Sequence, residues 1–466
     1  MSFRRVVLTV SMAIFMANLD ATIVYIALPT LSRVFGVETG AVSWAVLLYL
    51  LALCAFLPTF GKLADRWGSR TVLGSGYVLF TLGSLACGFA PGLPALCAFR
   101  FLQGVGGAMI FATANAVVVQ HLPEAVRGRA FGILAVFGSV GVALGAPVGG
   151  FLLHYLDWRW VFFVNVPAGV AGALLAWLGL PRDRAGDGER KSFDLAGAAL
   201  SFVALGAFIY CINTAQDYGW VGHGALGSAA VALLAGVLFV VRERRAPSPV
   251  LNLRIFSDRN LTAALLGTLT STLLLDGYSF LFPFYFDGVR GLTPDRIGLL
   301  LIVFPAVSAV LGPFLGAWVD RVGPRRVCIL SAAAMVASTA LFLLFGSGTG
   351  YGVVIAALAL YGAALGAFFA AVSTLVMNLA PPGEEGIVSA ANALFTFLGS
   401  TLGVCLFEAV FSSPFPAGAA NTAAPAALVL TGYHRAALAG VLFGLAVLAT
   451  ALVARPASRP GAHRAH

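Results

Sequence analysis

Fourteen long apolar runs, separated by short polar segments, decide most of what this chain can become. They fall at 6–31, 44–60, 71–90, 95–120, 130–155, 160–180, 194–213, 225–241, 260–286, 297–318, 327–346, 351–378, 387–411 and 433–454. Each is near the ~20 residues that a helix needs to cross ~30 Å of hydrocarbon. A backbone in lipid must satisfy its own hydrogen bonds, so runs of this length fit only as transmembrane helices. The 466 residues are 60% hydrophobic and 10% charged, against about 25% charged in an average soluble chain. The expected fold class is an all-α integral membrane protein with 14 transmembrane helices. The first run is longer than the ~7–15-residue apolar core of a signal peptide and reads as a retained span.

The formal net charge of +9 follows topology and forms no single basic patch, so no nucleic-acid partner is expected. With the N-terminus inside, the outer segments hold Arg33, Arg159, Arg290, Arg296 and Arg435, and Arg100 lies within a span. The other 22 of the 28 Lys and Arg are cytoplasmic. This bias predicts cytoplasmic N- and C-termini in a multi-pass protein of the cell membrane. The six cysteines all fall within apolar runs and make no CxxC, which argues against a disulfide framework or a metal cage. No HExxH or Walker A pattern occurs, so no metal, no ATP-driven step and no enzyme activity are expected.

The chain is duplicated. GKLADRWGSR at 61–70 returns in degraded form as GAWVDRVGPR at 316–325. Gly61, Asp65, Arg66, Gly68 and Arg70 recur as Gly316, Asp320, Arg321, Gly323 and Arg325, an offset of 255. Pro123 and Gly128 recur as Pro381 and Gly386, at offset 258. Repeats of a multi-helix unit in a membrane protein point to a transporter with its path between the copies. Spans 1–6 therefore match spans 9–14. The expected domains are an N-terminal six-helix bundle (1–180), linkers with two inserted helices (181–259), and a C-terminal six-helix bundle with a short tail (260–466). The polar segments 181–193 and 242–254 read as the linkers.

On these features the chain resembles the major facilitator superfamily, in its fourteen-span drug:proton antiporter branch, over essentially all of its length. GKLADRWGSR is similar to the family's loop 2–3 motif, with Ser69 in place of one basic residue. Arg100-Phe-Leu-Gln-Gly-Val-Gly-Gly resembles the span-4 motif. Gly132, Gly141, Gly145, Gly149 and Gly150 resemble the span-5 antiporter motif, but Pro147 follows Ala146 where the family has Gly-Pro. Asn18-Leu-Asp-Ala-Thr-Ile-Val and Trp158-Arg-Trp-Val-Phe-Phe-Val-Asn-Val-Pro resemble signatures of the branch. The resemblance implies two six-helix bundles plus two inserted helices. It also implies alternating access driven by the proton gradient, with no cofactor.

Charged groups inside spans are costly and are functional candidates by default. Asp20 and Arg100 are read as proton-coupling residues, because an arginine beside a carboxylate favours its ionised form. Asp276 joins them: it lies 256 positions after Asp20 and so reads as the same place in the second half. Leu358 stands 258 positions after Arg100, so the cation belongs to one half only. Asn18, Gln103, Asn115, Thr272, Tyr278, Phe280 and Glu408 are expected to line the substrate cavity, the aromatics suiting flat or cationic molecules. Packing of these aromatics against lipid is the alternative reading. Asp65, Arg66 and Arg70 are expected to close the cytoplasmic side. Asp65 would meet the positive end of span 13 near Gly386, and the arginines would meet Glu384 or Glu385. Asp320, Arg321 and Arg325 would do the same at span 5, near Glu124.

The function expected is proton-coupled export of small hydrophobic or cationic organic compounds such as drugs. Its partners are that substrate, protons and the bilayer, and a monomer is expected. The alternatives are a dedicated exporter or symporter of one metabolite, a lipid flippase, or a non-transporting membrane sensor.

Overall fold

The computed structural model describes residues 3–181, 195–218, 222–245, 253–415 and 424–455. Among these residues the structure is all helical. The first six spans are α1 (Phe3–Phe35), α2 (Thr39–Trp67), α3 (Ser69–Gly88), α4 (Leu93–His121), α5 (Glu124–Tyr155) and the broken pair α6 (Trp160–Phe163) and α7 (Asn165–Gly179). The inserted pair is α8 (Leu195–Tyr218) and α9 (His223–Arg245). The last six are α10 (Arg259–Gly288), α11 (Pro294–Leu301) with α12 (Val303–Val322), α13 (Pro324–Phe342), α14 (Tyr351–Asn378), α15 (Glu385–Ser412) and α16 (Ala426–Val453).

Thirteen of these segments have the length and apolar composition to cross a membrane; the inserted α8 carries a shorter apolar stretch, Ala199–Ala215. The first linker, past Pro181, lies outside the described residues, as does the tail past Arg455. The second linker is shorter than expected, because Arg242–Arg245 is the last turn of α9 and Leu253–Ser257 forms a short 3-10 helix.

Two spans are broken, the sixth and the tenth, and proline accounts for both. Pro167 has no N–H to give the Phe163 carbonyl, and the helix restarts at Asn165. Pro305 stands in the same relation to Leu301, where α11 ends.

The halves are built alike. α1 packs on α5 and α10 on α15, each through a glycine pair. A Cβ at Gly141 would meet the Phe15 carbonyl and Asn18, and one at Gly399 would meet the Leu269 carbonyl and Thr272. Small residues let helix backbones approach this closely in a membrane. In each repeated loop a glycine at φ 88° (Gly68) or 92° (Gly323) makes the turn between helices, a conformation only glycine adopts freely.

The two halves touch at the end away from these loops. Arg33 of α1 pairs with Asp287 of α10 at 2.7 Å, and His154 of α5 lies 3.5 Å from Asp295 of α11. A Cβ at Gly150 would strike the Pro294 carbonyl, and one at Gly298 the Ala146 carbonyl. Cross-half contacts reach mid-depth at Cys54–Thr401 and at the Phe111–Phe397 ring pair. At the loop end Asp65, Arg66, Glu124, Asp320, Arg321, Glu385 and Gly386 are all exposed. The structure is thus closed at the far end and open at the loop end.

Candidate functional site

Asp20 and Arg100 are in contact. The Arg100 Nη1 donates to Asp20 Oδ2 at 2.7 Å, and both residues are fully buried. Residues three apart share a helix face, so Gln103 stands beside Arg100. Its Oε1 accepts from Arg100 Nη1 at 2.6 Å, while its Nε2 donates to Asp20 Oδ1 at 2.8 Å and to Ser84 Oγ at 2.5 Å. The break at Val164 puts Asn165 in the first turn of α7, where its Nδ2 donates to Asp20 Oδ1 at 2.7 Å. Arg100 Nε donates to the Ala45 carbonyl at 2.9 Å, and the guanidinium lies 4.3 Å from the ring centre of Tyr49.

Five helices, α1, α2, α3, α4 and α7, therefore converge on one buried cluster. Removing one partner of such a buried pair strands the other charge, at a cost of about 3–5 kcal/mol. This cluster corrects the expectation that Gln103 faces the cavity. Arg100 and Gln103 point into the interior of their own half.

Asp276 is elsewhere. It is half-buried on α10 and accepts from the Tyr25 hydroxyl of α1 at 2.8 Å. The Tyr25 bond crosses between halves. The packing register explains why Asp276 is not a second Asp20. Asn18 sits against Gly141 as Thr272 sits against Gly399, an offset of 254, which sends Asp20 to Leu274. Two residues on a helix turn the side chain by about 200°. Leu274 is accordingly fully buried inside its half, whereas Asp276 faces the other half.

A pocket lies beside this bond, between the halves. Thr22, Tyr25 and Ile26 of α1, Val142 and Ala146 of α5, Ser279 of α10, and Leu301, Phe304 and Pro305 at the α11–α12 joint line it. Its lining is mostly apolar; the hydroxyls of Thr22 and Ser279 bond their own helices, and that of Tyr25 bonds Asp276.

Several residues expected in the cavity are packed away from it. Tyr278 is fully buried in an aromatic core with Phe282, Phe342, Tyr361 and Phe407. Phe280 is fully buried against Phe284. Thr272 bonds its own helix at the Thr268 carbonyl and seats against Gly399. Asn18 is half-buried against α5, whereas Asn115 is not packed away: it is exposed on α4, one turn from Phe111, whose ring meets Phe397 of the other half. Glu408 is fully buried, accepts from Ser412 at 2.7 Å, and meets Gly40 of α2 together with Asn213 of α8. It belongs to a seam joining both halves to the inserted helix.

Two of the loop arginines hold carbonyls of their own half. Arg70 donates to the Ala176 carbonyl at 3.3 Å and to the Trp177 carbonyl, at the end of α7. Arg325 donates to the Ala454 and Leu452 carbonyls at 3.1 and 3.2 Å, at the end of α16. Each caps the last helix of its own half, where unpaired carbonyls and the negative end of the helix favour a cation. With the loop end open, Glu384 and Glu385 lie on the other half. In the span-5 motif, Gly141, Gly145 and Gly149 admit α1, Gly150 admits α11, and nothing stands within 4 Å of a Cβ at Gly132. Tyr25, Asn165 and Ser84 were not foreseen. Asn165 lies inside the Trp158–Pro167 signature, which was its signal.

The comparisons agree with this architecture. The Major Facilitator Superfamily model matches residues 10–404. The chain is 33% identical over 404 residues to the multidrug resistance protein Stp of Mycobacterium tuberculosis (strain CDC 1551 / Oshkosh), covering 86% of this chain and 74% of that one. It is 27% identical over 407 residues to the riboflavin transporter RibZ of Clostridioides difficile (strain 630), covering 87% and 88%. A bacterial homologue of the human lysosomal transporter Spinster, solved inward-facing and unoccupied, shares the fold with a TM-score of 0.66 at 17% identity. That match covers 97% of this chain and 98% of the homologue. The chain is therefore a multi-pass membrane transporter rather than an enzyme, and it belongs to the major facilitator superfamily.

Proposed function

We propose that the protein is a proton-coupled antiporter that exports small hydrophobic or cationic organic compounds by alternating access, with its loop end cytoplasmic. The observation that carries this reading is the placement of Asp20 and the pocket on one helix. α1 holds Asp20 in the buried cluster and, two and five residues on, presents Thr22 and Tyr25 to the pocket. A change in the protonation of Asp20 alters the contacts that fix α1, and so reaches the pocket wall directly. The pocket has a free volume of about 20 Å³, room for a water rather than a substrate, so in this reading it marks where the path between the halves widens, with Asp276 bonded to Tyr25 of its wall. Stp, a relative named for multidrug resistance, supports the same substrate class. One proton moving down 100 mV supplies about 2.3 kcal/mol, which sustains a roughly forty-fold gradient of a neutral solute.

In this reading Asp20 and Arg100 couple protons and Asp276 contributes to substrate choice. Asp65 and Asp320 with their neighbouring arginines act when the cytoplasmic end closes. The test is substrate efflux from proteoliposomes after a pH jump, with proton flux read in parallel. A second reading, transport of one dedicated metabolite, is favoured by the similarity to RibZ. A competition series distinguishes the two: structurally unrelated cations compete in the first reading and fail to in the second.

A further inference from the structure

We infer that Asn165 is the hydrogen-bond partner that switches when Asp20 takes up its proton, turning its side-chain amide from donor to acceptor. This inference rests on the proposed role of Asp20 as a proton carrier.

The ionised Asp20 is surrounded by donors: Arg100 on Oδ2, and Gln103 and Asn165 on Oδ1. A protonated carboxyl adds an O–H that needs an acceptor, and a buried donor left without one is disfavoured. Arg100 has no acceptor to offer. The Gln103 oxygen is already held by Arg100 at 2.6 Å and approached by Cys87, and turning that amide would aim its NH2 at the guanidinium. The Asn165 oxygen is different: it is buried and has no hydrogen-bond partner among the described residues, on a residue that is fully buried. The other unpartnered oxygen nearby, the Tyr49 hydroxyl, lies against Gly107 rather than the carboxylate.

A half-turn of the Asn165 amide exchanges its nitrogen and oxygen. Oδ1 then stands where Nδ2 stood, 2.7 Å from Asp20 Oδ1, and accepts the new O–H. The amide makes one bond to Asp20 before the turn and one after it: the unpartnered oxygen gains the new O–H, and the NH2 takes over the unpartnered position. The backbone has no part in it, since α7 is fixed against α3 at Gly169 and Gly172, which abut Thr81 and Tyr77. Asn165 is a positioning residue in this scheme: it stabilises both protonation states and keeps the carboxyl oriented in each.

The test is infrared difference spectroscopy of the full-length protein in lipid, acidified and re-alkalinised, with isotope-labelled asparagine in the wild type. The expected result is a reversible carboxylic-acid band, lost in Asp20→Asn, accompanied by a label-sensitive asparagine side-chain band. In Asn165→Ala the acid band is expected to persist but shift to the frequency of a weaker hydrogen bond, and the asparagine band to vanish. An Asp20 acid band with no label-sensitive asparagine change in the wild type would overturn the inference while leaving the proton-carrier reading intact. Absence of any acid band assigned to Asp20 would overturn both. The labelled wild type alone decides between these outcomes, even if Asn165→Ala fails to fold.

Discussion

Arg100 reaches Asp20 at 2.7 Å inside the N-terminal half, with neither side chain more than 1% exposed. In the C-terminal half Leu358 and Leu274, both fully buried, stand at the corresponding positions. The duplication thus carries the helices but not the charge, and in the proposed mechanism this asymmetry assigns the proton chemistry to one half.

This asymmetry has a stability signature. Asp20→Leu leaves Arg100 buried without its counter-ion and is expected to destabilise the protein by about 3–5 kcal/mol. Asp20→Leu combined with Arg100→Leu is expected to recover most of that loss without recovering transport. Thermal unfolding in detergent, compared with efflux, separates the two effects.

Removing the cation alone leaves Asp20 buried without its counter-ion, so Arg100→Ala is expected to destabilise the protein by about 3–5 kcal/mol and to lose transport. Arg100→Lys is expected to rescue only in part, because lysine lacks the planar fork that serves Asp20, Gln103 and Ala45 together. The measurement is thermal unfolding together with initial efflux rate.

Much of this was legible in the chain because it depends on residue type and count alone. The apolar runs gave the helices, and charge within spans singled out Asp20 and Arg100, but their contact was not legible. What was not legible depends on helix rotation. Offset 256 made Asp276 look like Asp20, but the packing register is 254, and two residues put the side chain on the opposite face. Helix rotation is also why Tyr278 and Phe280, expected in the cavity, are core residues. Partners of Arg70 and Arg325 depend on which end of the molecule is open, a property of state rather than of sequence.

Asp276 tests differently from Asp20. Asp276→Asn keeps an acceptor for Tyr25 but removes the charge at the pocket, so transport of cations is expected to fall roughly tenfold or more while neutral substrates change little. A tenfold loss corresponds to about 1.4 kcal/mol. Tyr25→Phe removes the cross-half bond and keeps the charge, and is expected to alter rates for both classes alike. Kinetics with a matched cationic and neutral pair decide between them.

The span-5 glycines separate by position. Gly145→Ala pushes a methyl onto Thr22 and is expected to cost about 1–3 kcal/mol. Gly132→Ala faces open space and is expected to be neutral or stabilising by about 0.5–1 kcal/mol through helix propensity. Melting temperatures of the two variants give the comparison.

The most direct measurement is pH-jump-driven efflux from proteoliposomes bearing Asp20→Asn, a mimic of the protonated acid, with substrate and proton fluxes recorded together. The account predicts that the variant still binds neutral substrate, and that an imposed proton gradient no longer drives export. If substrate and proton fluxes remain coupled in Asp20→Asn, the Asp20–Arg100 pair is structural and the proposed coupling site is wrong.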